Sequence, residues 1–248
     1  MATKLKDYYN LQYCQSLADK LQTVYRDFDH QHFLALIEPA LDQLEFNDRQ
    51  ILIAKALKAC LPEDYVKALA VFYKILGPEL PGSLGIFTEG WWLWPIGKYV
   101  ELFGGWFFEE STAFSKELTK RFTGEFCMRP VLENFPERTM RLMLEWSRDD
   151  NQRVRRLASE CLRICLPWAK KNYAALEFFN EYVQVLSNLR HDSDKTIQKS
   201  VANNLNDLYK EAPDKFKLII NNWQQQEMTP ACAWIIKHGS RSQIKARS

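Results

Sequence analysis

The sequence contains little glycine and no long stretch of apolar residues. Only nine of the 248 residues are glycine, whereas segments rich in Leu, Ala, Lys, Glu and Gln are frequent, and such segments favour helix. No run of 18 apolar residues occurs, and the N-terminal segment lacks the apolar core of a secretory signal. We therefore expect a soluble, cytoplasmic protein with no membrane span.

Signatures of metal and cofactor chemistry are also missing. The six cysteines include no CxxC pair, and the four histidines form neither a zinc-ligand spacing nor a triad pattern. Cys161 and Cys165 are four residues apart on a predicted helix, but buried, reduced thiols are the simpler interpretation. No P-loop, GxGxxG or GxSxG sequence is present. We expect neither a metal nor a cofactor.

The net charge is small, but its distribution is uneven. The formal net charge is +2. Residues 1–50 hold five basic and eight acidic side chains, whereas residues 138–171 and residues 195–248 each hold nine basic and four acidic ones. An excess of cations in the second half of the chain is typical of a surface that binds anions on one side.

Helical periodicity dominates the chain, and no segment alternates as a strand would. Phe33 and Ile37 share a helix face before a break at Pro39, and Asn47 or Asp48 is suited to cap the next helix. Further helices are predicted continuously over 111–126 and 152–165. The pattern predicts an all-α fold of about eleven to thirteen helices.

An internal repeat refines this prediction. The segment 149–162 aligns with 192–205 at an offset of 43 residues, so that Val154 matches Ile197. Two-helix units of this length are typical of HEAT-like repeats, which stack into a solenoid (an αα-superhelix) with a concave face. We expect one helical-repeat domain over 1–248, whose residues 1–90 carry no distinctive motif and whose residues 91–248 carry the motifs described below.

Several charged residues are spaced as neighbours on a helix. Arg156 and Glu160 are four residues apart, and so are Arg121 and Glu125. From spacing alone each pair is read as a helical ion pair. Asp207 lies on a third predicted helix and is read as a surface or capping carboxylate. Periodicity alone does not bring these acids together.

Basic residues open two equivalent helices of the repeat. Arg153, Arg155 and Arg156 begin one, and Lys195 and Lys199 begin the other. Helix N-termini favour phosphate, so two adjacent repeats could follow a nucleic-acid backbone. The alternative is a solvated basic face.

Tryptophans cluster beside a turn-rich segment, residues 77–92. Trp91, Trp92 and Trp94 lie where this segment enters a helix, and Trp168 follows the basic helix. Core packing is one interpretation, and an aromatic wall for a base is the other.

Six segments occur in order between residues 91 and 245: WLWPIGKYVE, ELTKRFTGEFCMRP, EWSRDDNQRVRRLASE, LPWAKK, SVANNLNDLYKEAPD and WIIKHGSR. Together they resemble the AlkC branch of the AlkC/AlkD DNA alkylation repair glycosylases. The resemblance implies a HEAT-like solenoid that binds double-stranded DNA in its concave face. For a solenoid of this size we expect a monomer, associated with the nucleoid when it is bound to DNA. It also implies a hydrolase of base excision repair that removes N-alkylated bases such as 3-methyladenine.

Within this family, the resemblance implies that Glu125, Glu160 and Asp207 are the catalytic carboxylates. A cationic alkylated base leaves readily, so that carboxylates need only stabilise an oxocarbenium-like sugar and position water. The residues expected to contact DNA are Arg121, Arg153, Arg155, Arg156, Arg163, Lys195, Lys199 and Arg241. Those expected beside the lesion are Trp91, Trp94 and Trp168.

The segment after Glu160 departs from the family pattern. A glycine and an Arg-Pro-Arg are expected there, but Cys161 replaces the glycine and Cys165 replaces the second arginine, so that only Arg163 remains. This departure supports an alternative, a catalytically inactive helical-repeat module that binds DNA or a protein partner. A weaker alternative is an RNA-binding or scaffolding solenoid.

Overall fold

A computed structural model describes residues 4–83 and 85–247 as a continuous series of helices. No strand occurs within these two ranges, so the all-α prediction is confirmed. The same ranges contain fifteen α-helices, which exceeds the predicted eleven to thirteen because several predicted helices are broken in two.

The helices alternate between two layers along most of the chain. One layer consists of α3 (Phe46–Cys60), α5 (Trp94–Phe103), α7 (Glu125–Asn134), α9 (Gln152–Glu160), α12 (Lys195–Glu211) and α14 (Pro230–Gly239). The other consists of α1 (Leu11–Val24), α4 (Tyr65–Ile75), α6 (Phe108–Thr119), α8 (Pro136–Trp146), α11 (Phe179–Leu189) and α13 (Pro213–Gln224). The remaining elements are α2 (His30–Ile37), α10 (Ala174–Glu177), α15 (Arg241–Arg247) and the 3₁₀ helices Leu5–Tyr8, Leu41–Gln43 and Trp91–Leu93.

The predicted repeat is confirmed in the pairs α8–α9 and α11–α12. Their first helices begin at Pro136 and Phe179 and their second helices at Gln152 and Lys195, an offset of 43 residues in both cases. The second helices also begin in the same way, because the side chains of Asn151 and Asp194 accept main-chain N–H bonds as N-caps.

The turns inside the two pairs are equivalent as well. Arg155 donates to the main-chain oxygen of Asp149, and Gln198, its counterpart, donates to that of Asp192. Arg155 also forms an ion pair of 2.7 Å with the Asp192 carboxylate. In each pair, a side chain of the second helix therefore donates a hydrogen bond to the turn that precedes that helix. Arg155 also links the first turn to the turn of the next repeat.

The core runs through the whole helical series in two adjoining clusters. One cluster extends from Tyr9 to Cys127, and the other from Met128 to Ile235. Helix α7 contributes to both, since Cys127 and Met128 are adjacent and buried. The single domain over 1–248 remains a prediction.

Two predicted helix boundaries need correction. The helix predicted over 111–126 is interrupted between α6 and α7 because Gly124 allows a close approach: a β-carbon there would lie 2.8 Å from the Ser115 carbonyl oxygen. Helix α9 ends at Glu160 instead of continuing to Cys165, and a segment without regular secondary structure follows.

The start of α3 also differs from the prediction. The cap position is Glu45 rather than Asn47 or Asp48, which both lie inside the first turn. The break predicted at Pro39 is confirmed, because α2 ends at Ile37.

Candidate functional site

Three carboxylates and two guanidiniums alternate across helices α7, α9 and α12. The Arg156 Nη2 atom lies 3.4 Å from Glu125 Oε1 and 3.9 Å from Glu160 Oε1. The Arg163 Nη1 atom lies 3.0 Å from the same Glu160 oxygen, and its Nε atom lies 3.0 Å from Asp207 Oδ2. We call these five residues the acid–arginine network. It brings together the three acids that periodicity alone could not bring together.

Each acid occupies a defined point of its helix. Glu125 is the first residue of α7, directly after Gly124, and Glu160 is the last residue of α9. Asp207 lies in the fourth turn of α12, where the N–H of Cys165 also donates to its Oδ2 atom at 3.3 Å. Two acids at helix ends and one in the fourth turn of a helix are therefore linked through the side chains of Arg156 and Arg163.

The acids are nearly enclosed by protein. Glu125, Glu160 and Asp207 are 5%, 6% and 2% exposed. Burial raises the pKa of Glu125 above its ordinary value; Arg156 opposes this shift and Glu160 reinforces it. Burial also opposes ionisation of Glu160, yet Arg156 and Arg163 together hold its pKa below the ordinary value. The two glutamates therefore differ in their affinity for a proton, which is common in sites that handle protons or cations.

Two hydroxyl groups complete the network, and nothing in the sequence pattern singles them out. The Thr123 hydroxyl donates to the Glu125 carboxylate and accepts from Arg156 Nη1 at 3.1 Å. The Ser200 side chain forms a hydrogen bond that lowers the pKa of Glu160. Both residues lie within the six family-like segments: Thr123 precedes Gly124 and Glu125, and Ser200 is on α12, the helix that also carries Asp207.

The predicted pairing of Arg121 with Glu125 is wrong. Arg121 lies in the connection between α6 and α7, so the two residues do not share a helix. Its Nη1 atom lies 3.0 Å from the Glu117 carboxylate, and its Nε atom donates to the Gly77 carbonyl at 2.7 Å. These contacts join α6 to the loop after α4, a structural role that does not favour a phosphate contact.

The other predicted DNA-binding arginines are also engaged within the protein. Arg153 is 3% exposed, and Arg155 pairs with Asp192. Arg156 and Arg163 contact the acids of the network. The side chains of Arg153, Arg155 and Arg156 therefore make contacts mainly within the protein, and so does that of Arg163. None of these four arginines is favoured as a phosphate contact.

The lysines of the next repeat have a different environment. Lys195 and Lys199 are exposed at the start of α12. Arg241 is half-buried; its Nη2 atom donates to Asn203 Oδ1 at 3.0 Å, and its charge acts on the His238 imidazole. Arg241 lies near Asp207, since Asp207 and Arg163 both influence its guanidinium, whereas Lys195 and Lys199 lie near Trp234 and His238 of α14.

An aromatic stack lies among these cations. The rings of Trp234 and His238 are parallel within 13° at 4.8 Å, and Lys195 Nζ lies 5.6 Å from the Trp234 ring. Burial lowers the pKa of His238, and Arg241 and Lys199 lower it further. The stack borders a shallow cavity of about 420 Å³ whose lining contains no carboxylate: Trp234, Lys237, His238, Arg241, Ile244 and Lys245.

Two of the three tryptophans expected beside the lesion lie together. Trp168 is 66% exposed, and its ring lies 5.7 Å from that of the buried Trp94 and 5.9 Å from that of Phe46. Its φ of 64° lies in the left-handed region, which is costly for a bulky residue and is often found at functional sites. The ring of Trp91 packs instead against Tyr9 at 5.4 Å, in an environment typical of a structural residue.

The backbone at Cys161 does not require the glycine that the family pattern has at this position. Cys161 caps the end of α9 with φ −69° and ψ −21°, an ordinary helical conformation that does not require glycine. Its side chain is buried against the sulfur of Met143 at 3.0 Å. Cys165 is half-buried beside Glu211, with Sγ and Oε1 3.7 Å apart.

Residues 4–83 and 85–247 include no group of three or more His, Cys, Asp or Glu side chains arranged to hold a metal ion. The acids of the network are instead separated by guanidiniums. Within the same ranges no helix is long and apolar enough to cross a membrane.

The fold and this site define a helical-repeat protein with an enclosed acidic centre next to a basic, aromatic surface. The sequence profile of the DNA alkylation repair enzyme family matches residues 122–235. The chain is 33% identical to the Bacillus subtilis (strain 168) protein YhaZ over 242 residues, which are 97% of this chain and 65% of the relative.

A solved structure is similar to nearly the whole chain. It is that of Pseudomonas fluorescens alkylpurine DNA glycosylase AlkC bound to DNA containing an abasic site analog, with a TM-score of 0.86 and 31% identity over 99% of this chain and 66% of the other. The chain thus spans about two thirds of the length of both relatives. It belongs to the AlkC/AlkD family of DNA alkylation repair proteins.

Proposed function

We propose that this protein is a DNA glycosylase that hydrolyses the N-glycosidic bond of cationic alkylated bases, such as 3-methyladenine, in duplex DNA. The observation that carries the proposal is the convergence of Glu125, Glu160 and Asp207 in one enclosed network. The similarity to an alkylpurine DNA glycosylase bound to DNA supports it.

The charge of the network suits the chemistry. A purine alkylated at N3 already carries a positive charge, so its bond to C1′ can break without protonation of the base. The bonding electrons neutralise the departing base, and positive charge develops on the sugar. Three carboxylates against two guanidiniums leave the ionised network with an excess of negative charge. Fixed charges in a largely enclosed site stabilise such a cation more strongly than they would in water.

Glu160 is assigned the central role. Its lowered pKa keeps it ionised at neutral pH, and it lies between both arginines. It would stabilise the sugar cation or accept a proton from the water that attacks C1′, which leaves a free base and an abasic site. Glu125 and Asp207 would orient this group and add negative charge.

DNA would be held by the exposed cations of the C-terminal repeats. Lys195, Lys199 and Arg241 are the predicted contacts that remain available or adjacent to the site. Trp168, backed by Trp94, is the aromatic group best exposed to stack on a base. The protein would act as a monomer, without metal or cofactor, as part of base excision repair in the cytoplasm.

One observation favours a second function. Every acid of the network already has an arginine partner and is at most 6% exposed, as expected for a structural ion-pair network. A catalytically inactive module that binds DNA is therefore the alternative.

Base release from methylated duplex DNA distinguishes the two. We expect the wild type to release 3-methyladenine and Glu160→Gln to lose most of this activity while still binding a duplex that contains an abasic-site analog. Glu117→Gln is the control, because Glu117 also pairs with an arginine but lies outside the network. DNA binding without release by the wild type would establish the alternative.

A further inference from the structure

Arg129 lies one helical turn after Glu125 on α7 and points towards the connection that follows α9. Its Nη1 atom donates to the main-chain oxygens of Cys161 at 3.2 Å and Arg163 at 2.7 Å, and its Nη2 atom donates to that of Lys170 at 2.5 Å. The side chain is 5% exposed. A buried guanidinium is thus satisfied by three carbonyls of one segment, residues 161–170, which we call the 161–170 connection.

This connection carries two residues of the proposed site. Arg163 joins Glu160 to Asp207, and Trp168 presents its exposed ring next to Trp94. The acceptors of Arg129 lie at both ends of the connection, before and after Trp168. The first three residues of the connection also continue the hydrogen bonding of α9, and Cys165 N–H donates to Asp207. The second half, after Cys165, has the bonds from Ala169 N–H to Leu166 and from Asn172 N–H to Ile164.

We propose that Arg129 is a positioning residue that fixes the 161–170 connection, and through it Arg163 and Trp168, against the carboxylates of the site. Its role in base release rests on the proposed function, whereas its effect on the connection does not. Glu125 and Arg129 share one face of α7, so a single helix supplies an acid and orders the segment opposite to it.

The guanidinium is suited to this task in a way that lysine is not. Its planar fork has five N–H donors and can reach separate carbonyls at the same time, whereas an ammonium group is a compact point charge on a flexible stem. We therefore expect Arg129→Lys to restore only part of the order that Arg129→Gln removes.

A matched control exists at the other end of the chain. Arg49 is also 5% exposed and also donates to main-chain carbonyls, at 3.2 Å to Lys6, 3.3 Å to Tyr9, 3.0 Å to Leu44 and 3.4 Å to Asp42. None of these acceptors belongs to the connection or to the acid–arginine network. Arg49→Gln therefore reports the effect of losing a buried arginine as such.

The test uses two readouts on the folded full-length chain. The first is the rate at which Cys165 reacts with a thiol reagent, since Cys165 is half-buried in the connection while the other five cysteines are buried. The second is the single-turnover rate of base release, compared with the affinity for abasic-analog duplex. We expect Arg129→Gln to speed Cys165 labelling about tenfold, as local opening of the connection becomes easier. Base release should slow by about tenfold, with a much smaller change in affinity.

The outcomes separate the two proposals. Combining Arg129→Gln with Trp168→Ala should slow base release less than the product of the single effects, because both changes act through the same connection. Labelling of Cys165 at the wild-type rate, or no faster than in Arg49→Gln, would overturn the positioning role. If the wild type releases no base, the proposed function fails, and the labelling experiment alone supports or overturns the effect of Arg129 on the connection.

Discussion

The guanidinium of Arg163 and the carboxylate of Asp207 meet between two successive repeats, with Nε 3.0 Å from Oδ2 and Nη2 3.4 Å from Oδ1. The two side chains are only 9% and 3% exposed. Arg163 lies in the 161–170 connection and Asp207 in the fourth turn of α12, so the pair joins the segment after one repeat to the second helix of the next.

Removal of this arginine should therefore be costly. Arg163→Met leaves Asp207 and Glu160 without their common partner, and we expect the free energy of unfolding to fall by about 3–5 kcal/mol, as is typical of a broken buried ion pair. Urea denaturation measures this loss. The double variant Arg163→Met, Asp207→Asn should lose less than the sum of the single changes, since the second change removes the unpaired charge. Additive losses would show that the two groups do not interact.

The two glutamates should give opposite dependences of stability on pH. The raised pKa of Glu125 means that the folded state binds its proton more tightly than the unfolded state does. The wild type therefore loses stability as pH rises from about 4.3, the ordinary value of glutamate, through the folded pKa. Glu125→Gln lacks this loss, so its stability relative to the wild type should increase with pH, as measured by denaturation at a series of pH values.

Glu160 has the reverse sign. Its lowered pKa contributes stability that is fully present above about 4.3 and is lost as pH falls through the folded pKa. The free energy of unfolding of Glu160→Gln should consequently be lower than that of the wild type by a constant amount near neutral pH. This difference should shrink only in acid. Parallel pH profiles for the two glutamine variants would contradict the assigned directions.

The energetic cost of the left-handed backbone conformation at Trp168 can be measured by comparing the substitutions Trp168→Gly and Trp168→Ala. Both substitutions remove the ring and its contacts with Trp94 and Phe46, but only glycine relieves the strain at φ 64°. We expect Trp168→Gly to be more stable than Trp168→Ala by about 1 kcal/mol in chemical denaturation. Equal stabilities would mean that the backbone relaxes to another conformation. Both variants should release base more slowly than the wild type.

The salt dependence of DNA binding tests the predicted lysines. Each phosphate contact contributes about 0.9 to the slope of log affinity against log salt, so Lys195→Ala with Lys199→Ala should reduce the slope by nearly two. Lys217→Ala is the control, since Lys217 is equally a surface lysine but lies on α13 in the other layer. An unchanged slope in the double variant would place the DNA elsewhere.

Much of the fold could be predicted because its signals are local. Helical periodicity depends on residues only a few positions apart, and it predicted the all-α fold and the two-helix units that recur at an offset of 43 residues. The missed boundary before α7 has a tertiary cause: Gly124 approaches the Ser115 carbonyl, and no periodic pattern records such an approach.

The site was less accessible to prediction. Resemblance to the family singled out Glu125, Glu160 and Asp207. Because these acids are far apart in sequence, it could not be predicted that Arg156 and Arg163 would lie between them. Arg163 was expected to face phosphate and instead contacts two carboxylates, because the connection after α9 turns inward. Arg129 gave no sign of its role, since its acceptors are main-chain oxygens, which every sequence contains.

The three acids belong to three different two-helix units of the stack. Their mutual distances are therefore set by the angle at which one unit sits on the next, and any bending of the array opens or narrows the centre. If a duplex binds against the array as proposed, any change in that curvature would also change the spacing of the three acids.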